Sequence, residues 1–184
     1  MERSSSSSGS TTVNQAPDHA KLLAQAVDIY EFRAAVPGDI DALIGLYTIF
    51  FAESGYGERG LTFDPKGAWV WLFNGISTGN LPHLVAIVRS SKELIGAVSY
   101  LLDSRYTTEP IAHLNQIYVR KQWRRSAVGR VLATLALEVA RADGAVCFDA
   151  LLDAGMERET ASLRNMFLKL GFRDAGSKQL IRSF

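Results

Sequence analysis

The sequence predicts a mixed α/β fold, a central sheet of about six or seven strands flanked by about four helices. Three observations predict it. Short β-rich runs and stretches of helical periodicity follow one another as strand, two helices, three strands, helix, strand, helix, strand, which is not a simple Rossmann alternation. The strongest helical stripe (Val128, Val131, Leu132, Leu135 and Val139) lies between two apolar β-runs. Of the 184 residues, 47% are apolar and 21% charged, the balance of a chain that buries a core without disulfide or metal staples.

Taken in order, Tyr30 to Ala34 reads as a strand with Tyr30, Phe32 and Ala34 on one face. Pro37, Gly38 and Asp39 open a helix, continued by Ile40, Leu43, Ile44, Tyr47, Phe50 and Phe51 at helical spacing. Gly55, Gly57 and Gly60 break it up, and a second helix runs from Pro65 to about Ser77. Leu84 to Arg89 and Leu94 to Leu101 form a hairpin around Ser90-Ser91-Lys92-Glu93. After a polar loop, Ala112 to Val119 is the next strand. The Val128 stripe follows and ends at Gly144; Ala145 to Leu151 is a buried strand. Glu157 to Leu170 is a helix stopped by Gly171 at a C-terminal cap, and Leu180 to Phe184 is the last strand.

Residues 1–28 are of different composition and are expected to be a disordered, serine-rich tail ahead of a domain over residues 29–184. The tail has no apolar signal core, and Glu2 with a lone Arg3 argues against a transit peptide. Apolar runs fall far short of the roughly 20 residues needed to span a bilayer. A net charge of +1 gives no reason to expect a nucleic-acid or membrane surface. The single Cys147 excludes an intramolecular disulfide and a multi-cysteine zinc site, and fits a cytoplasmic location.

The chemistry concentrates between residues 117 and 130. Ile117-Tyr118-Val119 ends a strand; Arg124-Arg125-Ser126-Ala127-Val128-Gly129-Arg130 turns into a helix. Small residues at Ser126, Ala127 and Gly129 let backbone N–H groups approach a ligand at a helix N-terminus, where orphan donors and the macrodipole favour anions. Arg124, Arg125 and Arg130 add positive charge. The stretch reads either as a pyrophosphate cradle or as an ordinary strand–turn–helix with solvated arginines. The glycine patterns of dinucleotide-binding and P-loop proteins are absent.

These residues resemble the central motif of the GNAT superfamily of acyl-CoA-dependent N-acyltransferases, Arg/Gln-x-x-Gly-x-Gly/Ala after a strand ending in valine. Val119, Arg124 and Gly129 match it; Ala127 stands where the first glycine is usual. Asn165 to Phe172, with Lys169-Leu170-Gly171-Phe172, is similar to the family's later helix, and Phe32 to Ile40 to its first strand and helix. Gly96 also fits. The resemblance covers residues 29–184.

The resemblance implies a sheet with a V-shaped splay, here between Ala112–Val119 and Ala145–Leu151. Acetyl-CoA would bind there as co-substrate, with no metal. N–H groups of Arg125 to Arg130 would hold its pyrophosphate, and the N–H of Ile117, Tyr118 or Val119 the thioester carbonyl. Arg164 and Phe167 lie on the helix that flanks the pantetheine arm in relatives. Phe167 occupies the position where the family often has a tyrosine as acid, so another group serves, with Tyr118 a candidate, or water does, or the thiolate leaves unassisted. His113, an imidazole suited to accept a proton near neutrality, and Glu53 are the candidate bases. Glu53, Glu58 and Asp64 suggest a mildly acidic acceptor side suited to a cationic amine, small-molecule or protein-borne. Tyr47, Phe50, Tyr56, Trp69 and Trp71 read as core before substrate wall. Homodimers are common in the family, though no seam is legible here. A catalytically weak acyl-CoA-binding or interaction domain is the alternative.

Overall fold

The computed structural model describes residues 26–105, 107–152, 157–175 and 179–183. Seven strands form one sheet in the order β1-β2-β3-β4-β5-β7-β6. They are β1 (Tyr30–Ala34), β2 (His83–Val88), β3 (Leu94–Asp103), β4 (Ile111–Val119), β5 (Cys147–Leu151), β6 (Arg173–Asp174) and β7 (Gln179–Ser183). The helices are α1 (Ile40–Glu53), α2 (Pro65–Thr78), α3 (Val128–Ala142) and α4 (Glu157–Lys169). Each expected element is present within a few residues of its expected bounds. The two-residue β6 is an addition, because a strand so short leaves no periodic trace. Most of the tail expected to be disordered lies outside the described residues. Its end is ordered, since residues 26–29 are helical and Ala26 is buried. Arg89 Nε also donates to Val27 O at 2.7 Å.

The sheet buries both faces. On one, Val128, Val131, Leu132 and Ala136 of α3 meet Val98, Tyr100 and Phe148, with Phe167 and Phe172 closing the layer. On the other, Ile40, Leu43 and Leu46 of α1 and Leu72 of α2 meet Val85, Ile87 and Ala97. Gly96 is where α3 presses hardest on the sheet, for a Cβ there would stand 3.1 Å from Tyr118 O and 3.2 Å from Leu132 Cδ1. Only a residue without a side chain lets the helix approach this closely.

Every strand pair is antiparallel except β4 with β5, and that parallel pair is brief. Ile111, Ala112 and His113 pair with Cys147, Phe148 and Asp149, and there pairing stops, although β4 runs on to Val119. The two strands part beyond His113 and open a wedge. On the opposite edge β4 pairs with β3 throughout, with one slip: Ser99 faces Gln116 while Tyr100 faces Leu114. Asn115 is therefore the extra residue of a bulge. The bulge shifts the phase of β4. Ala112 and Leu114 face α3, as do Ile117 and Val119, while Tyr118 faces α1.

A buried polar chain links β2 to α1. His83 Nδ1 lies 3.1 Å from Leu81 O, and its Nε2 lies 3.0 Å from the Tyr47 hydroxyl. A carbonyl only accepts, so Nδ1 carries the proton and Tyr47 donates to Nε2. Burial holds the His83 pKa below its ordinary 6.5. The unfolded imidazole then binds a proton before the buried one does. The stability His83 contributes is complete above about pH 6.5 and is lost as pH falls through its folded value. Thermal melts from about pH 7 to about pH 5 should show a falling Tm, with a shallower fall in His83→Gln; a wild-type Tm that does not fall would contradict this.

Candidate active site

The site is built where the wedge meets the start of α3. A cavity of about 690 Å³ is lined by Leu114 to Val119 of β4, the Trp123–Ser126 turn, Gly129 and Arg130. Leu151 and Leu152 border it after β5, as do Thr160, Leu163, Asn165, Met166 and Lys169 of α4. Phe50, Ser54 and Tyr56 close it from the α1 side. The sequence thus supplies three kinds of wall: strand backbone, a helix N-terminus, and the aromatic end of α1.

The turn into α3 carries its conformational demand at an unexpected place. Ala127, at the usual glycine position, has φ −71° and ψ −11°, an ordinary right-handed conformation that alanine adopts freely. The left-handed residue is Arg125, at φ 73°, a conformation costing a non-glycine roughly 1–2 kcal/mol. The backbone beyond it leaves donors open. Ser126 N–H bonds Trp123 O, and Val128 N–H reaches Ser126 Oγ only at 3.3 Å. The N–H groups of Ala127, Gly129 and Arg130 meet no protein acceptor among the described residues. Gly129 keeps the approach clear; a Cβ there would meet only Val119 Cγ2 at 3.7 Å and Met166 Sδ at 4.0 Å.

The edge of β4 supplies further donors. Arg120 N–H donates to Ile95 O of β3 at 2.9 Å. By the two-residue period of a strand, Tyr118 N–H also faces β3, whereas those of Ile117 and Val119 face the wedge. Of the three amides considered from the sequence, Ile117 and Val119 are the pair so placed.

The expected site side chains separate into three groups. Glu53, Tyr118 and Arg124 come together. The Tyr118 hydroxyl donates to Glu53 Oε2 at 3.1 Å, and Arg124 Nη2 pairs with the same oxygen. Arg124 Nε donates to Val119 O at 3.0 Å, and its guanidinium lies 5.3 Å from the Tyr118 ring centroid. Burial, and then the Glu53 carboxylate, push the Tyr118 phenol up. The Arg124 head is thus turned toward α1. Its cation faces Glu53 and Tyr118, while its backbone belongs to the turn.

His113 stands apart at the vertex of the wedge. Its Nδ1 lies 2.7 Å from Asp149 Oδ1, the partner directly across the last β4–β5 pair. The carboxylate only accepts, so Nδ1 carries a proton, and in the neutral ring Nε2 presents its lone pair. The sequence singled out His113, but Asp149 was invisible to it as a partner, since only strand register brings them together.

Two residues expected on the helix that flanks the pantetheine arm lie off the cavity lining. Phe167 is 1% exposed and packs on Phe172 with ring centroids 4.8 Å apart, so it belongs to the core and not to the cavity wall. Arg164 pairs with Asp174 and does not line the cavity. Thr160, Leu163, Asn165, Met166 and Lys169 are the α4 residues that do. Of the carboxylates expected on the acceptor side, Glu53, Glu58 and Asp64, none is a lining residue of the cavity. Glu53 is paired, and Asp64 Oδ1 accepts the Lys66 N–H at the start of α2. Phe50 and Tyr56, read as core, are wall, while Trp69 and Trp71 are exposed on α2. Cys147 is a partly buried thiol whose pKa burial raises, which fits inert packing. Among the described residues no cluster of three or more His, Cys, Asp or Glu is placed to hold a metal, and no helix is long and apolar enough to cross a membrane.

Comparison with known proteins agrees with this geometry. The crystal structure of a probable acetyltransferase superposes with a TM-score of 0.66 at 19% identity, over 78% of this chain and 90% of that one. A predicted acetyltransferase of Clostridium acetobutylicum, solved with acetyl-CoA, gives 0.63 at 13% identity over 81% and 93%. An aminoglycoside antibiotic 6'-N-acetyltransferase of Acinetobacter baumannii gives 0.63 at 13% over 79% and 91%. At such identities these likenesses speak for the fold alone. No curated protein matches the sequence. The family match is direct: residues 44–172 fit the acetyltransferase (GNAT) family, and with its splayed seven-stranded sheet this chain belongs to it.

Proposed function

We propose that this protein transfers the acetyl group of acetyl-CoA to a primary amine by direct attack, with both substrates bound at once. The observation that carries the reading is the wedge between β4 and β5 opening beside the free amides of Ala127, Gly129 and Arg130. The residues present fit the coenzyme. Open N–H donors, a glycine where a side chain would intrude, and the cationic Arg125, Arg130 and Lys169 on the wall suit a diphosphate. Acetyl-CoA supplies the acyl thioester and a thiolate leaving group.

The chain's own groups then divide the work. Ala127, Gly129 and Arg130 donate their N–H groups to the diphosphate and so fix the thioester in the wedge. Ile117 and Val119 donate theirs to the carbonyl oxygen, where negative charge grows during attack. His113, its ring oriented by Asp149, is the base that takes the amine's proton at Nε2. Tyr118 holds a proton at neutral pH because burial and Glu53 oppose its ionisation, so it is the donor for the departing sulfur. Glu53 acts through Tyr118 and Arg124 as a positioning group.

The burial of Phe167 and the pairing of Glu53 favour one other reading, a domain that binds acyl-CoA without chemistry. The full chain incubated with acetyl-CoA and a panel of amines should release free thiol in an amine-dependent way. Stabilisation by CoA without thiol release from any amine would establish the alternative instead.

A further inference from the structure

The arm of the cavity on the α1 side is aromatic. Phe50 sits 5.3 Å from the Tyr118 ring and 6.0 Å from the Tyr56 ring, centroid to centroid. Ser54, Asn115 and Gln116 supply the polar contacts around them. No aspartate or glutamate lines the cavity among the described residues. Glu53, the nearest carboxylate to that arm, already faces the Arg124 cation. Both tyrosine rings also hold a guanidinium: Arg124 lies 5.3 Å from the Tyr118 centroid and Arg59 lies 5.7 Å from that of Tyr56. A ring that already holds one cation has less of its quadrupole to offer a second.

We infer that the acceptor is a monoamine with an aromatic or bulky apolar body, and that Tyr56 and Phe50 set this preference. The inference rests on the transferase reading and narrows its substrate class. A single amine loses its charge when His113 takes the proton. A polyamine or aminoglycoside would bring further ammonium groups into an arm where, among the described residues, the nearest carboxylate is already paired with Arg124. Phe50, Tyr56 and Tyr118 pack edge-to-face as one cluster whose cavity side is the surface an aromatic body would pack on.

The test ranks phenethylamine, butylamine, spermidine and kanamycin by kcat/KM with saturating acetyl-CoA. It also ranks them by thermal stabilisation of the CoA-loaded chain, a readout that needs no turnover. Phenethylamine should exceed spermidine and kanamycin at least about tenfold, and should stabilise the loaded chain where they do not. Tyr56→Ser should lower the ratio of phenethylamine to butylamine about fivefold or more, and Tyr56→Phe, which keeps the ring, should preserve it. A polycation ranked first, or an unchanged ratio in folded Tyr56→Ser, overturns the inference. Absent thiol release with phenethylamine still stabilising the loaded chain sinks the transferase reading and leaves the acceptor class standing.

Discussion

Gly129→Leu is expected to raise the KM for acetyl-CoA at least about tenfold while leaving the fold intact. The position lines the cavity, and the nearest atoms to a Cβ are Val119 Cγ2 at 3.7 Å and Met166 Sδ at 4.0 Å. That is ordinary van der Waals distance, so the helix itself tolerates a side chain. The branched end of leucine must then project into the space where the diphosphate approaches the open amides. Loss of one or two charge-assisted hydrogen bonds, each worth about 1.5–3 kcal/mol, converts to a factor of about ten or more. Leucine is also a better helix former than glycine, so Tm should hold or rise. An unchanged KM would mean that the ligand does not approach α3 there.

His113→Ala should lower kcat about 10²–10⁴-fold, with little change in the affinity for CoA. The imidazole does not line the cavity and offers nothing to the diphosphate. It matters because Asp149 fixes its tautomer across the last β4–β5 pair. Asp149→Asn should give a smaller loss, because an amide still positions the ring but no longer demands the proton on Nδ1. Equal kcat in wild type and His113→Ala would remove His113 from the mechanism and return the proton to Glu53 or to water.

Much of this was legible before any coordinate. The Val128 stripe, the caps at Pro37 and Gly171 and the turn into α3 are local signals, set by helix period and backbone chemistry. The bulge at Asn115 is written in the apolar pattern, which runs Ala112, Leu114 and then skips to Ile117, Val119. Two things escaped because they depend on register or tertiary contact. Asp149 lies far along the chain from His113 and joins it only through the parallel pairing of β4 and β5. The pairing of Glu53 with Arg124 likewise needs the fold, since Arg124 lies beyond the end of β4 and meets the last residue of α1 only in space. Ala127 shows the reverse. It looked like a defect in the motif, yet its backbone needs no glycine, and the left-handed position fell on Arg125 instead.

The most direct test of the account is an NMR titration of the ¹⁵N-labelled full chain with CoA. The account predicts that the amide signals of Ala127, Gly129, Arg130, Ile117 and Val119 move together and saturate with one affinity, and that pantetheine, which lacks the diphosphate, moves only the last two. Saturable CoA binding that leaves the signals at 127, 129 and 130 unmoved would contradict it.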